Sequence, residues 1–377
     1  MQQASILSFF QKGKPPRQEE TRTGQPHRPR DFNSRGKGNS SGRQQGQHRG
    51  PNRRRNDDLE KVADETKAAL PNILSQLPGL DAMDSSIHAL DDLAALDVKD
   101  CPGFDLPDSD AEVGKRGTRI RVFDMDTFDA AINVAPNYKA SDHQELFQSR
   151  PSSADSQSQE EDYIISDRSP RSSIIMPVAV LNLASERSAG GGFHKGALAQ
   201  EEALCYRSSL YLSLHKSYYP LPSLSAIYSP SILVIRDAMS RGHSLLTSTQ
   251  RPADLPVTSV ISVAALRRPT LTDDGKNYRK EGQRAEMKRK IRLTLRVAAM
   301  KGHTKLVLGA LGCGVFGNPP GEVANCFLEV LREKEFQGGW WEDVVFAILD
   351  NVKGDQGGKN GMGNYGEFYR VLDDQLV

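Results

Sequence analysis

Residues 190–202 read Gly-Gly-Gly-Phe-His-Lys-Gly-Ala-Leu-Ala-Gln-Glu-Glu, and few local structures accommodate such a stretch. Just before it, Val178-Ala179-Val180-Leu181-Asn182-Leu183 is an apolar run with the composition of a buried strand. Just after it, Ala203, Tyr206, Leu210 and Leu214 recur every three or four residues, which predicts a helix face. A strand therefore feeds a glycine loop, and the loop feeds a helix that opens on Gln200, Glu201 and Glu202. Consecutive glycines let the backbone come close to a ligand and take positive φ at no steric cost. Acids in the first helical turn face the positive end of the helix dipole. A bare glycine loop is a weak signal, and a flexible turn followed by acids at a helix start is the alternative reading of these residues alone.

The alternation continues along the chain. Strands are expected at Ile120 to Phe123, Ile232 to Arg236, Val257 to Ala264, Lys305 to Leu311 and Val344 to Leu349. Helices are expected from about Phe128 to Val134, from Glu281 to Met300, from Pro319 or Pro320 to about Glu335, and from Glu367 to Asp374. The pattern predicts an α/β layered domain, whose ligands sit at the carboxyl ends of strands. A second glycine loop, Gly312-Cys313-Gly314-Val315-Phe316-Gly317, also follows a strand and can face the same crevice. Its backbone N–H groups can cradle a diphosphate without a basic side chain; taken alone, a tight turn explains it equally well. Asp126 stands where it can cap the helix that follows.

Three glycines (Gly190, Gly191, Gly192), seven residues, then Gln200-Glu201-Glu202 resembles the signature of poly(ADP-ribose) glycohydrolases of the shorter, microbial type, which are built on a macrodomain. The second loop resembles the diphosphate-binding loop of macrodomains. The resemblance covers roughly residues 115–375. It implies a macrodomain-like three-layer α/β/α sandwich with a mixed sheet, and hydrolysis of the ribose–ribose O-glycosidic bonds of poly(ADP-ribose). It implies Glu202 as the catalytic residue, with Glu201 holding ribose hydroxyls and Asn182 binding the ribose at the scissile bond. Buried beside a second carboxylate and a diphosphate, Glu202 is expected to be protonated at neutral pH and able to act as an acid. Gly190, Gly191, Gly192, Gln200, Gly312, Cys313, Gly314, Val315, Phe316 and Gly317 would line the substrate, with Phe316 packing on the ribose or phosphates. An Asp at a strand end contacts adenine in macrodomains, so Asp126 has that second reading beside its cap. No cofactor is implied, and no His, Cys or Asp cluster has metal-ligand spacing. Two other functions share these residues: a macrodomain that binds ADP-ribose without cutting it, and a hydrolase of mono(ADP-ribosyl) groups. A second negative charge beside a diphosphate gains nothing for binding alone.

The rest of the chain divides by composition. Residues 12–55 hold thirteen Lys or Arg against three Asp or Glu, although the whole chain is only +1. With almost no aliphatic residues, 12–56 cannot offset the entropy of ordering and is expected to be a disordered basic linker. It would either meet phosphates of nucleic acid or polymer or serve as a solvated spacer. Before it, in 1–11, Gln3, Ile6, Phe9 and Phe10 fit Q-x-x-I-x-x-F-F, which resembles the peptide that docks on the replication sliding clamp, proliferating cell nuclear antigen. Residues 57–115 are expected to be a partly ordered helical extension, with helices at Leu59 to Leu74 and Ile87 to Leu96. The catalytic domain is placed at 116–377, with a polar, disordered insertion at about 139–173. No apolar run approaches a membrane span. Cys101, Cys205, Cys313 and Cys326 have no paired spacing, so a reducing compartment, nucleus or cytoplasm, is expected.

Overall fold

The computed structural model describes residues 56–148 and 176–377. The expected clamp peptide, all of the basic stretch but Asn56, and most of the expected insertion lie outside them. The described elements run α1 (Asp57–Leu74), β1 (Ser86–Ala89), β2 (Arg121–Phe123), α2 (Thr127–Val134), α3 (Ala140–Gln148), β3 (Ala179–Leu183), α4 (Gln200–Arg207) and α5 (Leu210–Ser213). They continue with β4 (Ser225–Leu233), β5 (Val257–Val263), α6 (Glu281–Met300), β6 (Lys305–Leu308), α7 (Pro320–Leu331), β7 (Asp343–Ala347) and α8 (Asn364–Leu372). The strands form one sheet of seven in the order β1-β4-β5-β3-β6-β7-β2. From β5 to β2 the neighbours are parallel, and β4 and β1 are added antiparallel at one edge.

Helices cover both faces, which is why the central strands read as unbroken apolar runs. Leu181, Ile261, Leu306 and Phe346 point to one face and pack with Ile291 and Leu295 of α6, Phe327 of α7 and Phe368 of α8. Their neighbours Val180, Val260, Val307 and Val345 point to the other, against Leu59 and Ala63 of α1, Phe128 of α2 and Leu204 of α4. This is the expected three-layer sandwich with a mixed sheet.

Several boundaries depart from the sequence reading. Ile87 to Leu96 is not a helix: Ser86–Ala89 is an edge strand paired with β4, followed by a single 3-10 turn, Leu90–Asp92. Pairing satisfies the strand's backbone, and Leu90 and Leu93 are buried in the core, so this segment belongs to the sheet rather than to an appended extension. The start of the expected insertion is helix α3. Polar composition concealed it because its buried anchors are small or polar, Ala140 and His143: His143 lies between the Tyr138 hydroxyl at 3.0 Å and the Ser231 hydroxyl at 2.7 Å. Of the strand expected at Ile232 to Arg236, only Ile232 and Leu233 belong to β4, which begins at Ser225, while Val234 and Arg236 make isolated bridges; Pro230 sits at a register shift between Ser229 and Ile232. The helix after the signature breaks at Ser208, whose hydroxyl donates to Leu204 O at 2.8 Å and accepts from Leu210 N at 3.1 Å.

Helix α1 supports the signature from outside the domain boundary expected at 116. The Thr66 hydroxyl, fully buried, donates to Tyr206 O of α4 at 2.8 Å and accepts from Arg236 Nε at 2.8 Å. Thr66→Val keeps the shape and leaves both partners unsatisfied, which costs about 1–3 kcal/mol. The urea midpoint should fall with an unchanged slope; an unchanged midpoint would show that α1 does not brace α4.

Candidate active site

The carboxyl end of β3 brings the first loop to the sheet. Gly190 and Gly191 take φ of +65° and +58°, in the left-handed region that glycine occupies freely. A Cβ on Gly191 would overlap Glu202 Oε1 and lie 3.0 Å from Glu201 Oε2. The loop backbone is therefore laid directly on two carboxylates. Gly192 N donates to Glu202 Oε1 at 2.9 Å. The loop is fastened behind by Tyr206, whose hydroxyl lies 3.0 Å from Phe193 O and 2.7 Å from Ala197 O. Phe193 is fully buried between α1 and α4.

Glu201 turns toward the strand. Its Oε2 accepts from Ser185 N at 2.8 Å, and its Oε1 lies 3.5 Å from Asn182 Nδ2. Asn182 also donates to Ser262 Oγ at 3.0 Å, while its buried Oδ1 has no partner among the described residues. A fully buried amide oxygen left this way can accept from a ligand hydroxyl. The raised pKa expected of an acid falls on Glu201: burial pushes its carboxyl from 4.5 up to about 8, the Ser185 N–H opposes the rise, and the Glu202 carboxylate adds to it.

Gln200, expected at the substrate, instead has both ends of its carboxamide engaged by β3. Leu183 N donates to its Oε1 at 2.8 Å, and its Nε2 donates to Leu181 O at 2.8 Å. β3 pairs with β6 only at Ala179 and Val180, so Gln200 completes the ladder where β6 has diverged. Asp126 caps α2, its Oδ1 accepting from Phe128 N at 2.9 Å and Asp129 N at 3.3 Å. The same oxygen accepts from Arg207, whose other Nη bonds Asp129 at 2.9 Å. Arg207 is buried at the end of α4 and was not singled out by the sequence reading; its signal is an arginine five residues after Glu202 with Asp126 and Asp129 one helical turn apart upstream.

The second loop leaves β6, the neighbour of β3. Asn318 closes it: Asn318 N and Nδ2 both donate to Gly312 O, at 3.0 and 3.1 Å, and Tyr278 donates to Asn318 Oδ1 at 2.9 Å. Gly312 and Gly317 take φ of +76° and +70°. Gly314 N, Val315 N and Phe316 N donate to no protein acceptor among the described residues, and nothing lies within 4 Å of a Cβ built on Gly314. Three successive free N–H groups suit an anion. The Cys313 side chain is buried, which pushes its thiol pKa up, so it can serve a ligand only through its backbone. Among the described residues no group of three or more His, Cys, Asp or Glu is placed to hold a metal ion.

The structure thus brings Asn182, Glu201, Glu202, the first glycine loop and the second loop to the carboxyl ends of two adjacent parallel strands. Residues 106–237 match the family model described as microbial-type PARG, catalytic domain. The poly(ADP-ribose) glycohydrolase of Thermomonospora curvata superposes with a TM-score of 0.56 at 24% identity, over 84% of this chain and 99% of that one. That likeness shows the fold. The poly(ADP-ribose) glycohydrolase of Deinococcus radiodurans in complex with ADP-ribose superposes with a TM-score of 0.52 at 27% identity, over 78% of this chain and 98% of that one. No curated protein matches the chain.

Glu201 makes a pH prediction. A carboxyl that folding raises from 4.5 to about 8 binds a proton more tightly when folded, so its contribution is full below about 4.5 and is lost as pH rises through about 8. The loss should be on the order of a few kcal/mol. Chemical denaturation of wild type and Glu201→Gln between pH 5 and 8 (roughly the window of that shift) checks this. The wild type should lose stability across the window and the variant should lose much less; parallel curves would refute the assignment.

Proposed function

We propose that the protein is a poly(ADP-ribose) glycohydrolase, a glycosidase that hydrolyses the ribose–ribose bonds of the polymer and releases ADP-ribose. The observation that carries this reading is the bond from Gly192 N to Glu202 Oε1, which seats a buried acid pair on a glycine loop opposite a second loop with free N–H groups. The diphosphate of the terminal ADP-ribose lies on Gly314, Val315 and Phe316, which bind it by N–H donation. Asn182, through its unpartnered Oδ1, and Glu201 hold the ribose hydroxyls. Phe316 packs on the ribose or the phosphates.

Glu202 is the catalytic residue of this proposal. It gives a proton to the leaving ribose oxygen as the glycosidic bond breaks and the ribose carbon gains oxocarbenium character. It then takes a proton from the water that attacks that carbon, which restores the carboxyl and leaves a free ribose hydroxyl. Gly191, with no side chain, lets the ribose approach both acids. A protein that only binds ADP-ribose has no use for the second acid. Glu202→Gln keeps the bond to Gly192 N and removes proton transfer, so release of ADP-ribose from polymer should fall roughly 10²- to 10⁴-fold. ADP-ribose binding by calorimetry should persist. Near wild-type release would remove Glu202 from the reaction, and release from mono(ADP-ribosyl) protein alone would favour the narrower hydrolase.

Recruitment is a separate part of the proposal. Gln3, Ile6, Phe9 and Phe10 are a sliding-clamp ligand, and the basic stretch that follows is a leash with phosphate affinity. Together they place the enzyme at replication and repair sites in the nucleus, with a cytoplasmic pool admitted. The spacing of Ile6, Phe9 and Phe10 after Gln3 suits a groove that takes a helical peptide with a glutamine anchor. A peptide of residues 1–15 should bind purified clamp with micromolar affinity, roughly what burying three apolar side chains leaves after ordering costs. Phe9→Ala with Phe10→Ala should abolish that binding and leave hydrolysis of free polymer unchanged. Equal binding by the two peptides would reduce the segment to a linker.

A further inference from the structure

Two arginines meet one glutamate beside the second glycine loop, a third is the next residue along the same turn, and the reaction described above uses none of them. Glu186 Oε1 accepts from Arg187 Nε at 3.1 Å and meets Arg267 Nη1 at 3.5 Å. Arg267 also lies over the Phe316 ring, 5.5 Å from its centroid. Arg268 is exposed, and its guanidinium has no hydrogen bond or ion pair among the described residues. Its backbone holds φ of +49°, which non-glycine residues seldom take, and its N–H donates to Phe316 O at 2.7 Å. The turn that presents the arginines is thereby fixed to the second glycine loop. Asn318 Nδ2 adds a bond to Leu266 O at 2.7 Å.

The order of the sheet says what this cluster faces. β5, β3 and β6 are neighbours in that sequence, and all three end at the crevice. The N–H groups for the terminal diphosphate follow β6, the acids sit at the end of β3, and Arg267 and Arg268 follow β5. Arg187 is two residues beyond Ser185, the residue whose N–H holds Glu201. Arg267 lies over the Phe316 ring, so the cluster borders the place where the scissile ribose packs in the proposed reaction. Glu186 is half-buried, but both of its arginine partners are exposed, and ion pairs of this kind are weak, so the arginines can turn to a better anion. A diphosphate carries two charges and offers paired oxygens to the guanidinium fork.

We propose that Arg187, Arg267 and Arg268 form a subsite for the diphosphate of the ADP-ribose unit on the leaving side of the scissile bond. This rests on the reading of the protein as a poly(ADP-ribose) glycohydrolase. The subsite favours polymer over substrates that lack a second unit. It adds affinity for the leaving portion and takes no part in bond cleavage.

The test compares two substrates: long poly(ADP-ribose), and ADP-ribose carrying an uncharged fluorogenic phenol on its terminal ribose, which has no leaving-side phosphate. In the full-length protein, Arg187→Gln with Arg268→Gln should raise KM for polymer roughly 5- to 20-fold with kcat retained. The slope of log KM against log salt should fall by about 0.7 for each phosphate that the variant no longer neutralises. Turnover of the phenol conjugate should stay within about twofold, since only exposed charges change. Glu186→Gln should act in the opposite sense and lower KM for polymer. An unchanged polymer KM with the salt slope intact overturns the subsite, as does an equal rise in KM for both substrates. Failure of the wild type to cleave either substrate overturns the glycohydrolase reading itself, and the subsite with it.

Discussion

Two carboxylates on consecutive residues are buried in the first turn of one helix, and the rest of the site is the set of contacts that make this tolerable. An ionised carboxylate removed from water is costly unless it is hydrogen-bonded or gives up its charge. Glu202 receives the N–H of Gly192, and Glu201 receives the N–H of Ser185 while its pKa climbs to about 8. Both donors lie on the loop that follows β3, so the loop and the helix define each other. Only glycine can stand at 191, where φ is positive and a Cβ would collide with both acids. A ligand that reaches the acids must therefore pass a bare stretch of backbone, which suits a bulky ribose.

Such a pair holds its geometry only if α4 cannot shift. Gln200 fixes its start to the backbone of β3 in place of a strand, Tyr206 ties its last turn to the glycine loop, and Arg207 locks its end to Asp126 and Asp129. Thr66 of α1 adds a fourth tie from outside the matched family segment. These ties come from four directions, so a rotation that would relieve one carboxylate strains another anchor. The acids stay against each other because the scaffold prevents them from separating.

Much of this was legible in the sequence. Buried parallel strands declared themselves as apolar runs, α6 by its period, and Asp126 by its place before Phe128. The glycines and both acids could be placed because backbone freedom and charge are properties of single residues. Gln200 and Arg207 could not, because their roles are fixed by partners 17 or more residues away: the unpaired edge of Leu181 and Leu183 for one, Asp126 and Asp129 for the other. The edge strand at Ser86–Ala89 and helix α3 were missed for a related reason. Their stability comes from pairing with β4 and from the buried His143, not from local periodicity.

Some departures from local rules lie at the site. Asn182 Oδ1 is buried without a partner among the described residues, three successive N–H groups are unclaimed there, and Arg268 holds a left-handed backbone. An unsatisfied buried polar group costs about 1–3 kcal/mol, and a non-glycine residue at positive φ costs a comparable amount, of order 1–3 kcal/mol. Two dense apolar clusters, one on each face of the sheet, keep the domain folded despite these costs. Water can satisfy the exposed N–H groups, but it matches neither the spacing nor the charge of a diphosphate. The Asn182 oxygen and the unclaimed N–H groups lie at the ends of neighbouring strands β3 and β6, so a ligand that satisfies both must carry a hydroxyl at one point and an anion at the next. The ribose and diphosphate of the proposed substrate have that outline.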